Sequence, residues 1–157
     1  MRRRSAGFTL PELIVVLVIA GLLSAVAIAR WDRGSCGIDE LGFVERTLTA
    51  LRLAQRRAQA DGCEVRITVT TGGYQVHQRA ALCSGAFNTS VAGTAGAGST
   101  LDSSPPPGLA LSATPGTFYF DAAGGVRSTP GGAYTNVTIS IGPHQIQLVG
   151  TTGHASS

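Results

Sequence analysis

The chain of 157 residues is long enough for one domain with an appendage, and too short for two independent hydrophobic cores. All 12 basic residues are arginines, which excludes P-loop, Schiff-base and every other lysine-dependent chemistry. The net charge is +3, but without Arg2, Arg3 and Arg4 nine arginines remain against nine carboxylates, so the charge indicates a basic leader rather than a nucleic-acid-binding face.

An apolar stretch follows the short basic leader, residues 1–7. Residues 13–29 carry no charge, and extension back to Phe8 adds a single one, Glu12. At about 1.5 Å per residue, a helix of this length spans roughly 33 Å, close to the thickness of a bilayer core. The sequence therefore predicts a membrane helix over 8–30, with the leader arginines cytoplasmic and the rest of the chain outside.

Two interpretations of this stretch differ in whether it is retained. A secretory signal peptide would be cut within the small-residue run 25–29 and would release a chain that begins near Ile28 or Arg30. A retained anchor would keep Glu12, whose burial in a bilayer costs on the order of 2–3 kcal/mol. A signal peptide does not need such a carboxylate, so Glu12 favours the retained anchor. Glu12 is itself a candidate functional residue.

The next segment, residues 31–62, predicts an amphipathic helix. Gly34 and Gly37 predict a bend or an interruption near its start, and Gly62 is a candidate for its end. Apolar residues at helical spacing form one face, which we expect to pack on a sheet. These residues are Leu41, Val44, Leu48, Leu51 and Ala58.

The remainder, residues 63–157, predicts a β-rich domain. Alternating patterns and turn signals predict strands over 64–70, 74–79, 117–121, 134–141 and 145–149, with a short strand near Val126. The weakly patterned segment 84–116 predicts a flexible exposed loop, with a possible short strand near 109–111. The expected fold is α+β, a long N-terminal helix packed on one mostly antiparallel sheet or on a pair of small sheets.

Three cysteines leave two pairings to consider. Cys63 and Cys83 flank a predicted hairpin, and their separation of 20 residues gives a disulfide worth roughly 3 kcal/mol. A Cys36–Cys83 bond is the alternative, whereas Cys36 and Cys63 lie too far apart at the two ends of a continuous helix. We expect Cys63–Cys83 with Cys36 free. The absence of ligand-like spacing among cysteines and histidines predicts no metal site.

The residues from Gly7 to Leu13, which read GFTLPEL between a basic leader and an apolar run, resemble the prepilin signature of type IV pilins and type II secretion pseudopilins. The resemblance implies that a prepilin peptidase cuts after Gly7 and methylates the new amine of Phe8. It also implies that Glu12 pairs with the N-terminal amine of an adjacent subunit during assembly. Pro11 is a departure, because the family usually has a large aliphatic residue there.

Later parts of the chain are similar to the H-type minor pseudopilins and minor pilins, the GspH/FimT group, with members like those of the MSHA pilus. The similarity lies in LTALRLAQRRAQADG at 48–62, in FYFD at 118–121 before a glycine-rich turn, and in TTG at 151–153. It implies a minor subunit of a pilus or pseudopilus, near the filament tip.

The resemblance further implies a non-enzymatic structural protein without a cofactor, anchored once in the bacterial inner membrane before it enters the filament. Its implied partners are the prepilin peptidase, other major and minor pilins, the assembly-platform membrane protein and membrane lipid. One branch of the group binds DNA through arginines in its C-terminal tail. Here residues 153–157 contain none, which disfavours nucleic acid. A freely secreted β-rich binding domain, released by signal peptidase, is the contrasting possibility.

Overall fold

The computed structural model describes residues 10–81, 83–93 and 100–157, with the side chains at 22 and 24–38 excepted. The chain divides into two compact units, 1–38 and 39–157. One helix, α1 (Leu10–Asp61), begins in the first unit and ends in the second. It continues through Gly34 and Gly37, so the predicted interruption at these glycines is not present.

The predicted membrane helix over 8–30 is only partly covered by this description. Residues 8 and 9 lie outside it, as do the side chains at 22 and 24–30. Within the residues that are described, no helix reaches the length and hydropathy of a membrane span.

Nine strands follow the helix and form two antiparallel sheets. A five-stranded sheet has the order β3-β2-β1-β5-β6, and a four-stranded sheet has the order β4-β7-β8-β9. The strands are β1 (Val65–Thr70), β2 (Gly73–Ala81), β3 (Ser84–Ser90), β4 (Leu111–Thr114), β5 (Thr117–Phe120), β6 (Val126–Arg127), β7 (Val137–Ile141), β8 (His144–Leu148) and β9 (Ala155–Ser156). The α+β fold is therefore confirmed, in its form with a pair of sheets.

The core of the second unit lies where α1 meets both sheets. A cavity of only about 10 Å³ is lined by Ala50 and Leu51 of α1, Ile67 of β1, Leu111 of β4 and Ile139 of β7, among others. Alternate residues of the strands point into this core because successive side chains of a strand face opposite sides of its sheet. The buried face of α1 follows the helical period in the same way.

One member of the predicted apolar face of α1 was assigned wrongly. Val44, Leu48, Leu51 and Ala58 are buried as expected, but Leu41 is 55% exposed. Leu41 lies three residues before Val44, and three residues turn the helix by about 300°. Leu41 is therefore displaced by about 60° from the line of Val44, away from the buried side. Phe43, only 2% exposed, lies on the buried side instead.

The segment 84–116, predicted as a loop, contains β3, which was not predicted, and β4, which begins at the end of the short strand expected near 109–111. β3 pairs with β2 through its backbone, while its side chains are mostly exposed and show no alternation. Between the two strands, the carboxylate of Asp102 accepts a hydrogen bond from the backbone N–H of Val76 at 2.8 Å. Ser103 exchanges two backbone hydrogen bonds with Tyr74, which holds this stretch against β2.

Candidate functional site

The first candidate residue, Glu12, lies in the first turn of α1 and is exposed. A carboxylate at this position is stabilised by the partial positive charge of the helix N-terminus. Gly7 and Phe8, the predicted cleavage and methylation residues, lie outside the described residues. The structure therefore places the carboxylate at the start of the helix and leaves its predicted partner, the trimmed amine, untested.

The helix around Glu12 presents large apolar side chains on all sides. Leu10 is 75% exposed, and the aliphatic residues from Leu13 to Ile19 are 51–63% exposed. A helix that is apolar all round is stable only when lipid or other helices cover it. Glu12 is the one ionisable residue between positions 10 and 23. Whatever covers this helix must also accommodate one carboxylate.

The disulfide lies at the opposite end of α1. Cys63 and Cys83 are bonded, with 4.8 Å between their Cα atoms, so the predicted pairing is confirmed. The bond ties the residue that follows the helix end to the turn between β2 and β3. The side chain of Cys36 lies outside the described set.

Gln55 is a structural residue whose role no sequence pattern predicts. Its side-chain amide donates two hydrogen bonds of 2.8 Å, one to the carbonyl oxygen of Gly124 and one to that of Thr152. Gln59, one turn later, donates a longer bond of 3.2 Å to Ala123. The helix thereby holds both the β5–β6 turn and the turn before β9. The two carbonyl groups that it binds lie 69 and 97 positions away in the sequence. A glutamine on an apolar helical face does not indicate such distant partners.

The β5–β6 turn is organised by Asp121. Its carboxylate accepts hydrogen bonds from the N–H groups of Ala123 at 3.0 Å and Gly125 at 2.8 Å. It also pairs with the Arg127 guanidinium at 2.8 Å, and that guanidinium lies 4.2 Å from the centre of the Tyr134 ring. Burial on its own would raise the pKa of Asp121, but the hydrogen bonds and the charge of Arg127 outweigh it and lower the pKa. Asp121 is thus held as a structural anion.

Neither arrangement in the second unit resembles a catalytic or metal centre. The carboxylate of Asp121 and the amide of Gln55 are occupied by backbone groups and by Arg127. Among the described residues, no three His, Cys, Asp or Glu side chains come together to hold a metal ion. Asp121 and Gln55 fix the conformation of turns. The feature that requires a partner is the exposed apolar helix that carries Glu12.

Two family models match the chain. The prokaryotic N-terminal methylation motif matches residues 2–28, and type II transport protein GspH matches residues 44–153. The comparisons with curated proteins and with solved structures gave no match. The methylation motif includes Glu12, and the second match spans most of the buried helix face, strands β1 to β8 and the turns that Gln55 holds. The chain therefore belongs to the GspH family and is a minor pilin or pseudopilin, a subunit of a type II secretion pseudopilus or a type IV pilus.

Proposed function

We propose that the chain is made as a precursor that a prepilin peptidase cuts between Gly7 and Phe8 and methylates at Phe8. The match to the methylation motif over residues 2–28 supports this proposal, because that range includes the leader, the cut site and the apolar helix. Until assembly, the segment 8–30 holds the subunit in the bacterial inner membrane, with the leader side cytoplasmic and the β-rich unit periplasmic. The role is structural and needs no cofactor.

The observation that carries the proposal is the position of Glu12 in an uncovered apolar helix. A lone carboxylate in an apolar bundle costs several kcal/mol, whereas a carboxylate paired with an ammonium group is tolerated. The methylated amine of Phe8 on a neighbouring subunit supplies that group. The charge pair then acts only when two subunits meet in the correct register, so Glu12 selects assembly over free diffusion in the membrane.

The partners of this step follow from the same surface. The exposed apolar helix packs against the N-terminal helices of other major and minor subunits, and the assembly-platform membrane protein receives the subunit as it leaves the bilayer. The subunit takes its place near the filament tip. The β-rich unit has its own core, which includes α1 from Phe43 onward.

The proposal is tested by Glu12→Ala and Glu12→Gln in a cell that makes the filament partners. Both variants should remain in the membrane fraction and be cleaved normally, and both should be lost from recovered filaments or tip complexes. Asp61→Asn is the matched control, since it neutralises an exposed carboxylate at the other end of the same helix. Normal incorporation of Glu12→Ala would remove Glu12 from the mechanism.

N-terminal sequencing of the mature protein separates this proposal from the released-domain alternative. A mature chain that starts at N-methylated Phe8 supports the proposed processing. A mature chain that starts at Ile28 or Arg30 shows that signal peptidase has removed the helix and Glu12 with it, and the structural role in a filament would then fail.

A further inference from the structure

Glu40 lies near the start of the part of α1 that belongs to the second unit, and one of its carboxylate oxygens has no partner. This oxygen, Oε1, is buried and accepts no hydrogen bond from the residues that the structure describes. It lies against the β7–β8 turn, since a Cβ atom added at Gly142 would come within 2.7 Å of it and within 2.8 Å of Leu109. A buried carboxylate oxygen without a donor destabilises the fold, so this position needs a compensating group.

The side chain that faces this oxygen is the imidazole of His144, which follows the same turn. Its Nε2 atom lies 3.8 Å from Oε1 of Glu40, too far for a hydrogen bond but close enough for a direct interaction of charges. The side chains of His144 and Glu40 are 39% and 25% exposed, so water screens the pair only in part. Protonation gives an imidazole a positive charge and an N–H group on both ring nitrogens, and it occurs in the acid part of the physiological range.

The strand side of this contact contains no other group that titrates. It consists of residues 103–118, which include Leu109 and β4, and residues 135–148, which form β7, the turn and β8. His144 is the one ionisable side chain in these two ranges. The charge on this side of the contact therefore changes only when His144 gains or loses a proton.

The helix side of the contact adds negative charge. Within about one turn of Glu40, residues 36–44 contain Asp39, which is exposed, and Cys36, whose side chain lies outside the described set. Asp39 strengthens the attraction of this part of α1 for a cation, but it cannot supply one. Among the described side chains of these segments, protonated His144 is therefore the one cation available to Glu40.

We propose that Glu40 and His144 form a pH-sensitive latch that holds α1 against the β7–β8 turn. In acid, the protonated imidazole pairs with the carboxylate, and Oε1 gains the partner that it lacks. This stabilisation is present below the range in which the imidazole titrates, and it is lost as the pH rises through that range. The latch involves contacts within the second unit only, so it does not depend on the proposed function.

The test is a double-mutant cycle of Glu40→Gln and His144→Gln in the full-length chain. The exposed apolar helix requires a non-ionic detergent, and near-ultraviolet circular dichroism follows the thermal unfolding of the second unit. At pH 5.5 an ordinary carboxylate and an ordinary imidazole are both mostly charged. Each single variant should then lower Tm by about 2–4 °C relative to wild type, and the double variant should lower it by about as much as one of them.

At pH 8 the imidazole is neutral, so His144→Gln should unfold at the wild-type Tm and the effects of the two substitutions should add. The matched control is the cycle of Asp39→Asn with His144→Gln, which changes the exposed carboxylate next to Glu40 and should give additive effects at both pH values. Additive effects of Glu40→Gln and His144→Gln at pH 5.5, or the same non-additivity at both pH values, overturn the latch. Equal non-additivity in the Asp39 cycle also overturns it, because the effect would then belong to the charge of the helix and not to this pair.

Discussion

Replacement of Gln55 by alanine tests whether the contact between the helix and the two turns stabilises the second unit. The substitution removes two hydrogen bonds of 2.8 Å, to Gly124 and to Thr152. Thr152 is exposed, so water can replace its lost bond, and the net cost there is about 1 kcal/mol. Gly124 is buried, so its carbonyl group is left without a donor at a cost of about 1–2 kcal/mol. The expected loss in the free energy of unfolding is therefore about 2–3 kcal/mol.

The measurement is urea unfolding of residues 39–157 with the disulfide intact, since the core residues among those that the structure describes lie between Phe43 and Ala155. With a slope of about 1.5 kcal/mol per molar urea, the midpoint of Gln55→Ala should fall by roughly 1.3–2 M. Gln59→Ala is the matched control, because its single exposed bond of 3.2 Å should be worth about 0.5 kcal/mol or less. Equal midpoints for the two variants would refute the reasoning that Gln55 holds the turns together.

Three further predictions concern the same unit. Replacement of Cys63 and Cys83 by serine should lower the free energy of unfolding by roughly 3 kcal/mol, measured against the oxidised protein, and an unchanged midpoint would show that the closed loop contributes nothing. Because folding lowers the pKa of Asp121, its ionised form stabilises the fold above the ordinary carboxyl range, and this stabilisation is lost as the pH falls through the lowered value. Asp121→Asn should thus lower Tm at pH 7, with a difference that shrinks below about pH 4, and a pH-independent difference would contradict this. Gly153→Ala and Gly131→Ala impose the same backbone strain, at φ of +64° and +66°, but only the methyl group at 153 would collide with Gly124 and Gln55. Gly153→Ala should therefore cost at least about 1 kcal/mol more in denaturant unfolding, and equal costs would locate the whole effect in the backbone.

The strands with one buried face were predictable because burial imposes a period of two on the sequence. β1 and β7 show it directly, with alternate buried residues from Val65 and from Val137. The edge strand β3 has no such period, since one neighbour and exposed side chains are enough to hold it. β9, only two residues long, is positioned by the turn before it rather than by its own composition. Sequence patterns therefore report the core and miss elements held mainly by backbone bonds.

Glu12 represents the opposite case, in which the sequence is more informative than the folded subunit. Its carboxylate has no opposite charge beside it in α1, and its surroundings are exposed aliphatic side chains. In the proposed function its partner is an amine of another subunit, and such a partner leaves no contact in a single chain. The order of leader, carboxylate and apolar run is a property of the sequence, and it predicts a role in assembly that the isolated fold does not display.

The three loose sequence similarities to GspH proteins acquire a common physical reason in the structure. The first contains Gln55, the second contains Asp121 and leads into the turn at Gly124, and the third contains Thr152 and Gly153. These residues meet at one place, because the amide of Gln55 binds Gly124 and Thr152 together. Gly153 lies against Gln55 and Gly124, in a conformation that glycine adopts most readily. The similarities are far apart in sequence because the contact joins the helix to two separate turns, each associated with a different sheet. The Gln55 contact thus ties one turn of each sheet to the same helix, beside the hydrophobic core that the helix and both sheets share.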